Sequence, residues 1–566
     1  MAASTLTSRI LLDRIPFTAT IPSNAEKVAS VLLAAHCCPR CVLRFLGVRD
    51  RTIHNSFVDL TNDWAAPHRV DDKAAIKSET SVEDTKAIGE QAVKKLKVEK
   101  EDVPLSKGRT CAACLGLLHC DHKAIGRGAL DIFHQQKYKL AVQNQTFVIS
   151  TRLPSQLAIR QRSYQLLLAH ELGESLPVVN DQTAAEAKPL IEVKEILKYL
   201  LADAYAEVSG LAFDANSPFS VSVHFEHKET EEEYKFLTEI PDAEFKVKKT
   251  RQKGIIVVNG ISYEKITRAA EKLSYEHFRG ASMCPPPPVA NPVVLVKTEL
   301  LHIPIYVAGR YLKLERHISN SPWVIGGNRM TEHSVEEFVA GRVDEFFRVD
   351  AHKFYSSGRE DADVLMLGRG RPYYLELINP RRVEATPAEM AALQAQINEE
   401  ADKKVGARNM QIISKEETKV LKDAADTKSK SYTTLVKLAS PVPLEALTKL
   451  SQITNLEVKQ QNPTRVPRRA DLMRDKLIET LHVYPSVPLS NPSDLTDEVR
   501  VDLRTSAGTY VKEFMHGDNG RTKPCLKDLL EVEWAKVLEL DVVEVHLDWP
   551  KEIQEDGAGG AASTDA

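Results

Sequence analysis

The sequence predicts an α+β protein in two parts: an N-terminal accessory part with a cysteine knuckle, and a C-terminal part built on a sheet. Three observations carry this. Helical and strand periodicities interleave between residues 138 and 274,. A Pro-rich run, CPPPPVANP at 284–292, then interrupts the chain, and four consecutive prolines exclude both helix and central strand,. Beyond it, residues 293–307 and 356–382 are dense in β-forming residues,.

Composition sets the outer limits. The 566 residues exceed one ordinary core, and 43% hydrophobic with 27% charged residues describes a globular chain,. A formal charge of −4 excludes a general nucleic-acid sponge, so any RNA contact must come from local basic surfaces,. The sequence has no run of eighteen apolar residues, and residues 1–35 carry Asp13 and Glu26 without a signal-peptide core,. The expectation is an intracellular protein, nuclear or cytoplasmic, with no membrane contact and with its eight cysteines mainly reduced,.

In chain order, Ser23 and Glu26 have capping-box spacing before an apolar run, which predicts a helix starting near Asn24,. That helix leads to Cys37-Cys38-Pro39-Arg40-Cys41, and a second pair, Cys111-Ala112-Ala113-Cys114, follows about seventy residues later,. Two Cys-x-x-Cys knuckles present four thiolates, Cys38, Cys41, Cys111 and Cys114, suited to a tetrahedral structural zinc,. A redox dithiol and unrelated reduced thiols are the alternatives, and Cys37, His119, Cys120 and His122 are spare ligands,. Residues 66–105, rich in Lys, Glu, Asp and Ala, read as a disordered charged insertion between the knuckles,.

Residues 138–149 are strand-like, 159–176 and 191–210 helical in period, and 219–225 an alternating strand,. Residues 226–233 read as an exposed acidic turn, 254–260 as a strand and 262–274 as a helix,. The resulting map has an accessory domain over 1–65 and 106–283, a Pro-rich linker over 284–292, a second domain over 293–550 and a disordered tail over 551–566,.

The second domain is organised around SSGREDADVLMLGRGRPYYLELINPRR at 356–382. Residues 361–367 read as a strand, 368–372 as a hairpin turn and 373–378 as the returning strand,. Asp361 stands at a loop-to-strand junction beside Arg359, the way a fixed carboxylate nucleophile is built, although most aspartates near a glycine lie in solvated turns,. Residues 386–430 read as a charged helical hairpin, 430–436 and 538–549 as strands, and QQNPTRVPRR at 460–469 as a basic loop,.

GRED, followed by DV, LG, GRP and ELINP, resembles the active-site segment of the Pus-ten-type tRNA pseudouridine synthases of archaea and eukaryotes. GTYVK at 508–512 and HGDNGRTKP at 516–524 are similar to two further motifs of that family. The resemblance implies a catalytic domain on a mixed, mainly antiparallel sheet, preceded by a four-cysteine zinc module and a THUMP-like RNA-binding unit. It implies Asp361 as nucleophile, Lys512 as a cation beside it, and no catalytic cofactor,. It also implies that Tyr432, in KSYTTLV, stacks on the target base and assists proton removal at C5, while Tyr510 lines the pocket and Leu540 packs beneath it. Arg359 is expected to fill the vacated base position or to pair with the carboxylate. Arg310, Lys313 and Arg316, together with Arg465, Arg468 and Arg469, are expected to face RNA backbone, and the 386–430 insertion to help clasp RNA,.

The implied substrate is the T arm of tRNA, at uridines 54 and 55, with other structured RNAs as an open class and a monomer as the working unit. Two departures from the family pattern stand out: Leu365 replaces an Arg, and the basic loop has Asn462 for Thr, is one residue short and lacks a His. The rival readings are a catalytically weak, zinc-stabilised RNA-binding scaffold, and a metal-dependent nuclease using Glu360, Asp361 and Asp363,.

Overall fold

The computed structural model describes residues 2–17, 19, 21–65, 109–173, 190–246, 249–252, 255–258, 262–424, 427–466, 470–491 and 493–553. The charged insertion, almost all of the C-terminal tail, Arg468 and Arg469 lie outside the described residues. The chain forms two compact units, Met1–Lys137 with Asn144–Leu301, and Tyr138–Gln143 with His302–Ala566. Among the described residues no helix is long and apolar enough to cross a membrane.

In the first unit the helix expected near Asn24 runs over Ala25–Ala34, with Asn24 as its N-cap residue, and buries Val28, Ala29, Leu32 and Leu33 on one face,. The helix Pro39–Phe45 follows, with Cys38 at its N-cap and Pro39 in its first turn, where a missing N–H costs nothing,. Strands β1 (Thr146–Arg152), β2 (Ala212–Phe213) and β3 (Phe219–Glu226) precede a two-stranded hairpin, β4 (Lys249–Gln252) with β5 (Ile255–Val258). β6 (Val294–His302) completes a four-stranded sheet in the order β2-β1-β3-β6, with β1 parallel to both β2 and β3. The helices Gln156–Leu172 and Val193–Ser209 form the long crossover that parallel strands require,.

Two features of this half differ from the sequence reading. The strand-like run 138–149 divides: β1 begins only at Thr146, while Tyr138–Gln143 belongs to the second unit, where Lys139 bridges Arg382. The Pro-rich run is packed within the first unit rather than spanning a gap. The buried Arg160 guanidinium donates to the Ala112 carbonyl at 2.8 Å and to that of Pro287 at 3.0 Å. Glu229 accepts from the Ala290 N–H at 2.9 Å, and His227 Nε2 donates to the Asn291 carbonyl at 2.8 Å. Glu229 and Glu233, expected in an exposed acidic turn, are instead partners of these staples, Glu233 through an ion pair with Arg160.

The second unit is a ten-stranded sheet packed on helices. Its strands are β7 (Ile305–Lys313), β8 (Ala351–Ser356), β9 (Leu365–Ile378), β10 (Val405–Ile413) and β11 (Lys430–Pro443). They continue with β12 (Thr454–Gln460), β13 (Arg474–Pro485), β14 (Leu495–Thr505), β15 (Thr522–Lys523) and β16 (Ala535–Val545). The order is β10-β7-β9-β16-β11-β14-β13-β12-β15, with β8 also on β9. The sheet is mixed and mainly antiparallel, β9 and β16 being its parallel pair. Helix Val335–Phe347 is N-capped by Ser334, whose hydroxyl accepts from the Glu337 N–H,.

The expected hairpin turn at 368–372 is not a turn. β9 is one continuous strand whose register shifts between Met366 and Arg371; its first residues pair with β16, and the rest lies between β7 and β8. Glycines at positive φ serve bulges as well as turns, and here the neighbouring strands demand them. A Cβ on Gly368 (φ +60°) would stand 2.1 Å from the Val543 carbonyl oxygen, and one on Gly370 (φ +84°) 2.6 Å from that of Tyr311. The real connection is the 357–364 loop between β8 and β9, so Asp361 lies in a loop and not on a strand.

The 386–430 region is likewise not wholly helical. Between the helices Pro387–Glu400 and Thr418–Ala424 lies β10, an edge strand on β7 that buries Val405, Ala407, Met410 and Ile413. The charge of the flanking helices masks this short apolar strand in the sequence.

Candidate functional site

The site is built from the loop that carries Asp361. The preceding residue, Glu360, is driven inward: its carboxylate lies 2.8 Å from Arg371 Nε, with the two side chains 1% and 2% exposed. The Tyr311 hydroxyl donates to the same carboxylate at 3.0 Å and accepts from Asn320 Nδ2 at 2.6 Å. The fully buried Lys313 ammonium donates to the carbonyls of Ile318 (2.9 Å), Asp361 (2.9 Å) and Ala362 (3.1 Å). Burial pushes this ammonium down to about 8, against the opposing pull of Glu360 and Asp363,. With backbone and predecessor both held, the Asp361 side chain projects from a fixed base and remains 42% exposed.

Two cations meet it. Lys512 Nζ lies 3.1 Å from Asp361 Oδ2 and 2.8 Å from Asp363 Oδ2. Burial pushes the Asp363 carboxyl up, but the Lys512 hydrogen bond and charge outweigh it and hold the group below its ordinary value. Lys512 is placed by the short helix Val511–His516, whose entrance is fixed by Gln460. That side chain donates to the Tyr510 carbonyl and accepts from the Tyr510 N–H, both at 2.9 Å. The second cation is Arg465, with Nη1 3.1 Å from Asp361 Oδ2 and Nε 2.7 Å from the buried Glu513.

The structure thus brings Asp361, Lys512 and Arg465 together. Arg465, expected on RNA backbone, is paired with carboxylates, and Arg359 is exposed and is not among the cations bonded to Asp361. Tyr432 lies on β11 between Leu503 of β14 and Val542 of β16, and packs against the core. Burial pushes its hydroxyl above the ordinary phenol range, with Arg371 opposing, so near neutral pH the ring offers a neutral phenol and not a base,. Leu540 is buried on β16 opposite Thr434 of β11.

The expectation that Arg310, Lys313 and Arg316 face RNA is corrected. Arg310 is buried and donates to the carbonyls of Leu547 and Trp549, both at 2.8 Å, and to those of Arg369 and Gly370 at 3.2 Å. Arg316 is bidentate to Asp541 at 2.8 and 3.1 Å and donates to the Asp363 carbonyl at 2.7 Å. Asp541 also accepts from the Leu365 N–H at 3.2 Å. Lys313 and Arg316 are thus internal staples of the loop that carries Asp361, and Arg310 ties β7 to the chain after β16. Arg371, Gln460 and Glu513 were not singled out in the sequence, and Glu360 was considered only as a metal ligand; each lies within or next to a recognised motif, which was the one signal for it.

The metal-nuclease arrangement does not assemble. Glu360 is consumed by Arg371 and Tyr311. Among the described residues, the His, Cys, Asp and Glu ligand atoms that converge as for a metal are those of Cys38, Cys41, Cys111 and Cys114, all within 4.8 Å of one another and all buried. Cys38 Sγ is 3.9 Å from Cys114 Sγ, and Cys111 Sγ is 3.8 Å from Cys41 Sγ. A tetrahedron with metal–sulfur bonds of about 2.3 Å has edges of about 3.8 Å. Burial, then hydrogen bonding with Cys111, pushes the Cys38 and Cys114 thiols well above their ordinary value, so a set of buried thiolates here needs a cation. Three of the spare ligands point elsewhere, His119 Nε2 accepting from the Cys111 N–H and His122 Nε2 and Cys120 Sγ donating to the Leu117 carbonyl, while the Cys37 thiol stays beside Cys111. The donor set fits a thiophilic structural metal.

Two family models match the chain, one described as Pus10, C-terminal, over residues 306–546, the other as eukaryotic Pus10, N-terminal, over 111–299. A Mus musculus protein named tRNA pseudouridine synthase Pus10 is 32% identical over 94% of this chain and 98% of its own. The Homo sapiens protein of the same name is 31% identical over the same shares. A solved Cbf5-Nop10-Gar1 complex aligns with 42% of this chain and 48% of its own at 17% identity, with a TM-score of 0.23 that supports no argument.

Proposed function

Since the chain belongs to the Pus10 family of tRNA pseudouridine synthases, we propose that it isomerises uridine to pseudouridine in the T loop of tRNA, at position 55, at position 54 or at both. Asp361 is the nucleophile and no catalytic cofactor takes part. The observation that carries this reading is the Asp361 carboxylate itself, fixed through its backbone by Lys313, half-exposed, and bound by Lys512 and Arg465.

The chemistry conserves atoms and electrons. The N1–C1′ bond breaks, the base turns, and a C5–C1′ bond forms, while C5 loses a proton and N1 gains one. A carboxylate nucleophile stabilises the detached centre during the turn. The uridine must leave its stack to reach Asp361, and the unstacked base is held between aromatic and apolar side chains. Tyr432 and Tyr510 take that role, with Leu540 below. The neutral phenol of Tyr432 suits a platform, and proton removal at C5 falls to another group. Lys512 supports the negative charge of Asp361,.

The four-cysteine site holds structural zinc in this reading, supported by sulfur separations of 3.8 and 3.9 Å,. Its chemistry is to neutralise buried thiolates and so to tie residues 38–41 to residues 111–114. The rest of the first unit, THUMP-like in expectation, serves RNA binding. The substrate assignment is tested by pseudouridine mapping of unmodified tRNA transcripts incubated with the purified protein in chelator-treated buffer. New pseudouridine in the T loop is expected, and modification confined to other arms overturns the assignment.

A further inference from the structure

Arg465 sits between two carboxylates of opposite character. Towards the interior, Nε and Nη2 reach Glu513 at 2.7 and 3.5 Å, and that side chain is 3% exposed. Towards solvent, Nη1 reaches the Asp361 oxygens at 3.1 and 3.3 Å, and both of those side chains are 42% exposed. The inner pair cannot break without leaving a buried charge alone, whereas an exposed pair is weak and exchangeable.

The backbone beneath Arg465 is pinned by the family's HGDNGRTKP segment. Asp518, held at φ +43°, accepts from the Thr464 N–H at 3.1 Å and from its hydroxyl at 2.9 Å. Arg521 donates to the Asn462 carbonyl at 2.7 Å, and Asn462 Nδ2 closes the turn on the Val466 carbonyl at 2.7 Å. Asn462, a departure from the family pattern, therefore keeps the loop shut. Only the outer end of the guanidinium is left free to change partner. A guanidinium fork matches a phosphate as well as a carboxylate, and here it retains N–H groups that neither carboxylate uses.

We propose that Arg465 is a substrate-displaced counter-ion: anchored on Glu513, it covers Asp361 in the free protein and passes to an RNA phosphate when a nucleotide enters. RNA thereby uncovers one side of the nucleophile while Lys512 stays on the other. Glu513 and Asp518 are positioning residues for this exchange. The inference rests on the proposed function for the identity of the ligand, but its test is a binding measurement, independent of turnover.

If Asp361 and a phosphate compete for Arg465, removing the Asp361 charge must tighten RNA binding, and only where Arg465 is present. Dissociation constants for one unmodified tRNA transcript are measured for wild type, Asp361→Asn, Arg465→Gln/Glu513→Gln, and the triple variant. Removing Glu513 along with Arg465 avoids stranding a buried charge. Asp361→Asn is expected to tighten binding about two- to fivefold in the wild-type background, the worth of one exposed ion pair, and to change nothing in the other. Equal tightening in both backgrounds overturns the exchange. Pseudouridine mapped in the same wild-type samples separates the two claims. Coupling without modification defeats the enzymatic reading alone; modification without coupling defeats the exchange alone.

Discussion

Replacing Arg371 with Met should destabilise the second unit more than any surface change, and the structure sets the size. Glu360 is 1% exposed and its direct ion pair is with Arg371, the Tyr311 hydroxyl being its other donor. Removing one partner of a buried pair costs about 3–5 kcal/mol, because the surviving charge is stranded. Arg371 also donates to the Ser357 carbonyl at 3.0 Å, at the start of the loop that carries Asp361, so the loop loosens with it. At about 2–4 °C per kcal/mol for a domain of this size, the transition of the second unit should fall by roughly 6–20 °C. Scanning calorimetry reads this directly. The double variant Glu360→Leu/Arg371→Met, which removes both charges, should recover most of the loss. The reasoning is refuted if Arg371→Met unfolds within about 1 kcal/mol of wild type, or if the double variant is no more stable than the single.

Three other perturbations follow from the same structure. Cys114→Ser should lower bound zinc below one equivalent by metal analysis and should destabilise the first unit, whereas Cys120→Ser should leave the metal content unchanged, since Cys120 bonds Leu117,. Gly368→Ala adds about 1–2 kcal/mol of backbone strain alone, and its Cβ meets the Val543 carbonyl, so both the thermal midpoint and turnover should drop. His352, hydrogen-bonded to Asp344 at 2.7 Å and to Glu336 at 3.2 Å, is pushed up to about 9 from 6.5. Because its folded value lies above its unfolded one, its contribution is complete below about pH 6.5 and is lost as the pH rises through about 9. The stability gap between wild type and His352→Gln should narrow over that window in denaturant titrations, and a constant gap would refute the pairing.

What the sequence disclosed, and what it hid, divides along the range of the forces involved. The helix start near Asn24 was legible because the apolar run that follows is local, although no side chain caps the helix there and the Ser23/Glu26 capping box does not form. The metal ligands were legible because each knuckle is a short loop. The motifs at 357–364 and 508–512 identified Asp361 and Lys512, and the fold brings them to 3.1 Å. The fate of Arg310 was not legible, since its acceptors at Leu547 and Trp549 lie more than two hundred residues away. The same holds for Arg316 on Asp541, 225 residues on, while Arg465 on Glu513 spans 48 residues between two separate motifs. An arginine in a basic sequence looks free until the carboxylates and carbonyls that claim it are placed. The bulge in β9 was misread as a turn because both use glycine at positive φ, and only the strands at Val543 and Tyr311 tell them apart.

Attack of the Asp361 carboxylate on the nucleotide is best checked by single-turnover pseudouridine formation with Asp361→Asn. The asparagine keeps the shape of the side chain, and the Lys313 hydrogen bond to the Asp361 carbonyl needs no side chain at all, so folding and tRNA binding should persist. No pseudouridine above background is expected from a variant that still binds the transcript. Turnover at the wild-type rate would contradict it.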